Sequence, residues 1–173
     1  MKLARIALLL VVLAIAAFVA WQRFAPHELP VAEHLTVYYT KIDGTTLGEW
    51  TVSLRPSQAG ESADEHRHNT ALYAAVQAVA GPPSDIDAIR FPSGTHVLGV
   101  SVSGSTATVD LSKDVTNGVG GSFGESGEFK GLVYTVTSLP GIEAVAMTVE
   151  GHRLETLPGG HLDLGQPLRR TDW

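Results

Sequence analysis

The chain has 173 residues, 44% of them hydrophobic and 17% charged, with no cysteine and a net charge of −6. Without cysteine there are no disulfides, no thiolate catalysis, no cysteine-ligated zinc or iron–sulfur site and no lipidated-cysteine anchor. From Pro26 onward nine Lys and Arg face eighteen Asp and Glu, leaving −9, and a surface that acidic repels phosphate backbones, so no nucleic-acid partner is expected.

Ile6 to Trp21 is uninterrupted apolar sequence, extended by Leu3 and Ala4 around Arg5. At ~1.5 Å per residue such a run approaches the ~30 Å of a bilayer core. Lys2, Arg5 and the terminal amine precede it and only Arg23 closely follows, which places the N-terminus in the cytoplasm and the remainder outside. The competing reading is a cleaved signal peptide. Its small-x-small site is poorly served, because a cut after Ala20 or Ala17 sets Phe18 or Ile15 at the −3 position. Residues 1–24 are therefore expected to form an uncleaved membrane anchor, 25–34 a linker, 35–170 one domain and 171–173 a tail.

Leu35 to Thr40 is a β-branched and aromatic run that predicts a strand, Asp43-Gly44 a turn, and Glu49 to Leu54 a second strand. After the polar connector Gln58 to Ala63, the stripe Leu72, Ala75, Val76 and Val79 predicts a helix. Ser62 and Glu65 fit a capping box, with Asn69 a rival cap; Gly81 and Pro82-Pro83 stop the helix. "HVLGVSVSGSTATVDL" reads as a hairpin turning at Gly104-Ser105, with Val102 opposite Ala107, Val100 opposite Val109 and Leu98 opposite Leu111. Thr116 to Phe129 reads as a flexible Gly/Ser loop. Phe129, Leu132, Val133 and Val136 predict a second helix although Val133, Thr135 and Thr137 prefer strands. Beyond Pro140-Gly141, Val145, Met147 and Val149 alternate as in a strand, and short strands are expected near Arg153 to Leu157 and Gln166 to Arg170.

Candidate chemistry is thin. Gly120-Gly-Ser122-Phe-Gly124 matches the five-residue nucleophile-elbow pattern, with Asp163 and His161 following in reversed order. The match lies in a glycine string where chance agreement is easy. Asp110, Ser112 and Asp114 begin like a calcium loop, but Val115 and Gly121 stand where Gly and Glu are needed. Asp110 then reads as a strand end, and Ser112 or Asp114 as the cap of a short turn. No glycine pattern for phosphate is complete. His66 and His68 do not share a helix face and read as solvated surface residues. Tyr38, Tyr39 and Tyr134 read as core or sheet-packing residues. No catalytic, cofactor-binding or metal residues are assigned, and the chain is not expected to be an enzyme.

The landmarks occur in a telling order: Val37-Tyr38-Tyr39, Ala80-Gly81-Pro82, Pro92 to Thr95 leading into "VLGVSVSGSTATVDLS", then "LVYTVTSLPGIEAVAMTVEG" and Pro167-Leu-Arg-Arg170. Over Leu35 to Arg170 this resembles the GerMN domain of sporulation and spore-germination proteins. The resemblance implies an α+β, two-layer module of two helices on one mixed sheet containing a β-hairpin, related to ring-building motifs and without catalytic residues. Members are typically membrane-anchored, often as lipoproteins, and act through protein–protein contacts in the bacterial envelope, in some cases during sporulation or germination. This sequence carries one copy rather than a tandem pair, and the N-terminal helix would replace the lipid. The expected partners are the membrane through that helix, and an envelope protein or a second copy of the chain. The alternative is a module binding a cell-wall or small-molecule ligand.

Overall fold

The computed structural model describes residues 13–19, 21, 34–118, 122–158, 160 and 162–173. Residues 13–19 are helical and exposed, and the Trp21 ring stands 6.3 Å from Phe18. The rest of the expected anchor and nearly all of the linker lie outside the described residues. Among those that are described, no helix is long and apolar enough to cross a membrane.

Strands β1 (His34–Thr40) and β2 (Leu47–Ser53) form an antiparallel pair. Asp43 shapes the turn between them by accepting the Thr45 and Thr46 N–H groups at 2.9 and 2.8 Å. Helix α1 (Ala63–Ala80) opens on the expected capping box: Ser62 Oγ accepts the Glu65 N–H, and Glu65 accepts the Ser62 N–H at 2.9 Å. It ends where Gly81 takes a φ of 76°. Strands β3 (Val97–Ser103) and β4 (Thr106–Leu111) form the hairpin, with Gly104 at φ 56° in its turn. A 3-10 turn at Lys113–Asn117 and helix α2 (Ser122–Val136) cross over to β5 (Ala144–Val149), which pairs in parallel with β4; β6 (His152–Arg153) closes the order β3-β4-β5-β6. Parallel neighbours require such a crossover, which is why a helix intervenes.

The α+β class is as expected, but the single sheet is two. No strand can join β1 to the larger sheet because α2 occupies the inner edge of β1. Thr135 Oγ1 accepts the Tyr38 N–H at 2.8 Å and donates to the Gly131 carbonyl at 2.8 Å. Thr40 Oγ1 donates to the Gly127 carbonyl at 2.9 Å, and the Ile89 N–H reaches the Thr40 carbonyl at 2.9 Å. Gly127, Gly131 and Thr135 lie four apart, so these small residues form one stripe that lets the helix settle against the strand. A Cβ on Gly131 would lie 3.0 Å from the Tyr38 carbonyl oxygen.

Other expectations shift for identifiable reasons. Helix α2 begins at Ser122, inside the stretch read as a flexible loop, and Gly127 within it serves close packing rather than turning, since a Cβ there would meet the Ile89 side chain. The buried face of α1 is Ala71, Ala74, Ala75, Ala78 and Val79, whereas Val76 is 40% exposed. The larger side chains drew the expected stripe one residue round the helix; the alanines face inward because α1 packs closely on β3, α2 and β1. In the hairpin, Val102 and Val100 pair as expected, but a bulge sets Val97 opposite Leu111 and turns Leu98 outward at 49% exposure. The closing strand near residues 166–170 is only a bridge of Leu168 to Val145, and that near 153–157 shrinks to β6. Leu157, Leu164 and Leu168 are nonetheless buried against the core.

Gly131→Ala is expected to lower the unfolding free energy by about 1–3 kcal/mol through overpacking, although alanine by itself favours a helix by about 1 kcal/mol. Gly124, which has open space where a Cβ would stand, should gain about 0.5–1 kcal/mol in Gly124→Ala. Urea denaturation of the two variants reads the opposite signs.

Candidate functional site

Among the described residues an open cleft of about 610 Å³ lies beside the start of α1, lined by Arg55, Gln58, Glu61, Asp64, His68 and Asn69 among others. Its centre is Glu61, whose side chain is 8% exposed. The carboxylate accepts from the Gln58 N–H at 3.0 Å, Asn69 Nδ2 at 2.8 Å and Arg55 Nη2 at 2.8 Å, and lies 3.1 Å from His66 Nδ1. Led by the Gln58 N–H, these donors hold its pKa near 2, against an ordinary 4.5. Such a carboxylate is a structural acceptor that fixes the connector between β2 and α1, not a proton donor or base near neutral pH. His66 is correspondingly not the solvated histidine expected, being covered to 12% exposure, whereas His68 is exposed at the cleft wall.

A second polar cluster closes the far end of α2. The Arg170 guanidinium donates from Nη2 to the Tyr134 carbonyl at 2.7 Å and from Nε to Thr137 Oγ1 at 2.8 Å. It lies 5.0 Å from the Tyr134 ring centroid and 5.5 Å from that of Tyr38, and the two rings meet edge to face at 5.8 Å. A cation at a helix C-terminus also suits the helix dipole. Tyr39 packs on Trp50 at 5.7 Å and covers Gly48 across the strand pair. The three tyrosines are thus packing residues, as expected. In the sequence Arg170 reads only as part of the closing Pro167-Leu-Arg-Arg170 landmark and Glu61 only as part of the polar connector; each is recruited by tertiary neighbours.

The remaining candidates disperse. Ser122 is the first residue of α2, and the Gly120 and Gly121 that precede it in the pattern lie outside the described residues. Asp163 accepts its own turn's Gly165 N–H at 2.8 Å, and His161 lies outside the described residues. Asp110 sits within β4 and accepts Thr148 Oγ1 at 2.7 Å and the Gly151 N–H at 2.8 Å, holding the turn after β5. Ser112 precedes the 3-10 turn, where its hydroxyl accepts the His96 N–H at 3.1 Å, and Asp114 accepts Asn117 Nδ2 at 3.2 Å. Among the described residues no group of three or more His, Asp and Glu could hold a metal ion.

Because the folded-state pKa of Glu61 lies below its ordinary value, its stabilisation is complete above about 4.5 and is lost as pH falls through about 2. Glu61→Gln should therefore remove part of the stability loss over that window. Thermal unfolding of both proteins across the range checks the difference.

Residues 36–155 match the family model described as Germane, sporulation and spore germination. No curated protein matches the chain. Among solved structures, the tandem GerMN domains of the sporulation protein GerM from Bacillus subtilis align with TM-score 0.59 and 22% identity, over 83% of this chain and 48% of that one. The chain thus spans about half the length of the tandem structure. The first GerMN domain of the same protein aligns with TM-score 0.55 and 22% identity over 83% of this chain and 100% of that domain. A putative lipoprotein from Clostridium perfringens aligns with TM-score 0.56 and 19% identity over 80% of this chain and 88% of that chain. With its matched region covering well over half its length, and a fold that these structures share, the chain belongs to the Germane family and carries a GerMN-type domain.

Proposed function

We propose that the protein is a single-pass, N-in membrane protein that presents one GerMN domain outside the cytoplasm, as a non-enzymatic module for protein–protein interaction or assembly in the bacterial envelope. A role in sporulation or germination would follow the description of its family. The observation that carries the reading is where the polar side chains go. Glu61, Asp110, Asp163, Thr135 and Arg170 each bond backbone groups that hold a turn, a connector or a helix in place. What the domain offers outward is shape, strand edges and an acidic surface. The apolar run from Ile6 to Trp21, preceded by Lys2 and Arg5, supports the anchor and its direction. One structural neighbour is the putative lipoprotein from Clostridium perfringens, which agrees with display at a membrane.

The second reading is a ligand-binding module, favoured by the open polar cleft around Asp64, His68 and Asn69. Its ligand would be a hydrophilic cell-wall fragment, and it predicts a rise in melting temperature on titrating such fragments that is lost in Asn69→Ala.

Protease added outside intact spheroplasts is expected to remove the domain from the full-length protein; full protection would overturn the topology. Crosslinking pull-down from membranes should recover a discrete set of envelope proteins, and fewer of them when exposed positions within Phe129 to Gly151 are altered. Recovery of bulk membrane protein alone would count against an assembly module. A serine-reactive probe should label the wild type and Ser122→Ala alike.

A further inference from the structure

The antiparallel ladder of β1 and β2 fixes which backbone groups face outward. Lys41 N–H bonds the Thr46 carbonyl at 2.9 Å. By the alternation of an antiparallel pair, Tyr39 with Gly48, Val37 with Trp50 and Leu35 with Val52 then exchange bonds, while the residues between them turn their N–H and C=O away. On β1 two of the four outward residues are taken by other elements: Tyr38 meets Thr135 and Thr40 meets Ile89. On β2 they belong to Leu47, Glu49, Thr51 and Ser53, and no described residue bonds to them. The opposite situation holds at β3, the edge of the larger sheet, where the bulge at Leu98 breaks the row. Strand β2 is seven residues long and carries no Lys, no Pro and no bulge; of the devices that usually block edge pairing it has one charge, Glu49.

We propose that β2 is a self-pairing edge, through which two copies of this chain join antiparallel across a two-fold axis at Trp50. Three features select a second copy and this register. Outward groups must meet outward groups, so only registers shifted by whole pairs of residues can bond. The register centred on Trp50 uses all four outward residues, setting Leu47 opposite Ser53 and Glu49 opposite Thr51 of the second copy. Centring on Glu49 would oppose two like charges, which destabilises a cross-strand pair, and centring on Thr51 would leave Leu47 unmatched. Finally, Lys41, Asp43 and Glu49 along this edge, with the Arg55–Glu61 pair at its end, leave only −1, although the chain from Pro26 carries −9. The two-fold brings the Asp43 end of one copy toward the Arg55 end of the other.

Four bonded pairs give about eight backbone hydrogen bonds. A single strand edge covers less than the ~800 Å² per partner of a standard interface, so the pair would be weak between free domains. Co-anchoring in one membrane raises the effective concentration. The inference therefore rests on the anchored-module reading.

The chain has no cysteine of its own, so introduced cysteines report unambiguously. Two differently tagged full-length chains, Glu49→Cys and Thr51→Cys, are co-produced and oxidised in the membrane. Both positions are exposed, and matched melting temperatures verify folding. Cα atoms of a bonded pair lie about 5.5 Å apart, within disulfide reach. The expected result is a mixed disulfide at least tenfold above either variant alone and above Leu98→Cys. No disulfide, predominance of Glu49→Cys or Thr51→Cys homodimers, or a disulfide to a different protein would overturn self-pairing in this register. If self-pairing fails while the pull-down still returns envelope partners, the assembly reading stands; if both fail, it falls too.

Discussion

The domain depends on how one strand edge is closed. An isolated pair such as β1 and β2 is marginal by itself, and its inner edge would expose unsatisfied backbone groups to the core. Helix α2 resolves both problems. Its Gly127, Gly131 and Thr135 stripe brings the helix to within contact of the β1 backbone, and the Thr135 hydroxyl stands in for a neighbouring strand. The same helix is the crossover that makes β4 and β5 parallel neighbours. Sheet division, helix position and strand order therefore follow from a single contact, and the poor helix-forming residues in α2 are there because that contact needs them; tertiary packing overrides their propensity.

Much of this was readable in advance where the signal is local. The Ser62–Glu65 capping box, the Gly81 stop and the Gly104-Ser105 turn each depend on residues within a few positions, and each forms as the residues dictate. The failures share a cause, which is that they concern what one element does to another. The alanine face of α1 is invisible to a pattern weighted by large apolar side chains, yet small residues are what allow close packing. The bulge at Leu98 leaves the alternation intact in sequence and breaks it in space. Gly127 looks like a loop residue unless one knows that Ile89 and Thr40 must be approached. Of the candidate chemistry, the sequence offered Ser122, His66 and the Asp110 to Asp114 stretch; the fold gives the structural work to Glu61 and Arg170, whose partners lie in other segments.

The same economy of polar groups bears on function. An enzyme converges titratable groups on a reacting atom and leaves them partly unsatisfied until substrate arrives. Here Glu61, Asp110, Asp163 and Thr135 each bond the protein's own backbone. On the proposed reading, specificity resides in surface shape and edges, a property that drifts easily in sequence while the fold survives.

Arg67 in α1 joins three remote parts of the chain. Its Nη2 donates to the carbonyl of Gly104 in the hairpin turn at 2.7 Å and to that of Gly141 at the entry to β5 at 2.8 Å. The Ser105 carbonyl, next to the first of these, accepts the Glu143 N–H at 2.8 Å. Neither turn can swing out without releasing the other, because both share one guanidinium and the backbone bond between them. Their breathing motions are thereby merged into one cooperative event, and that end of the molecule behaves as a single latch rather than as two loose loops.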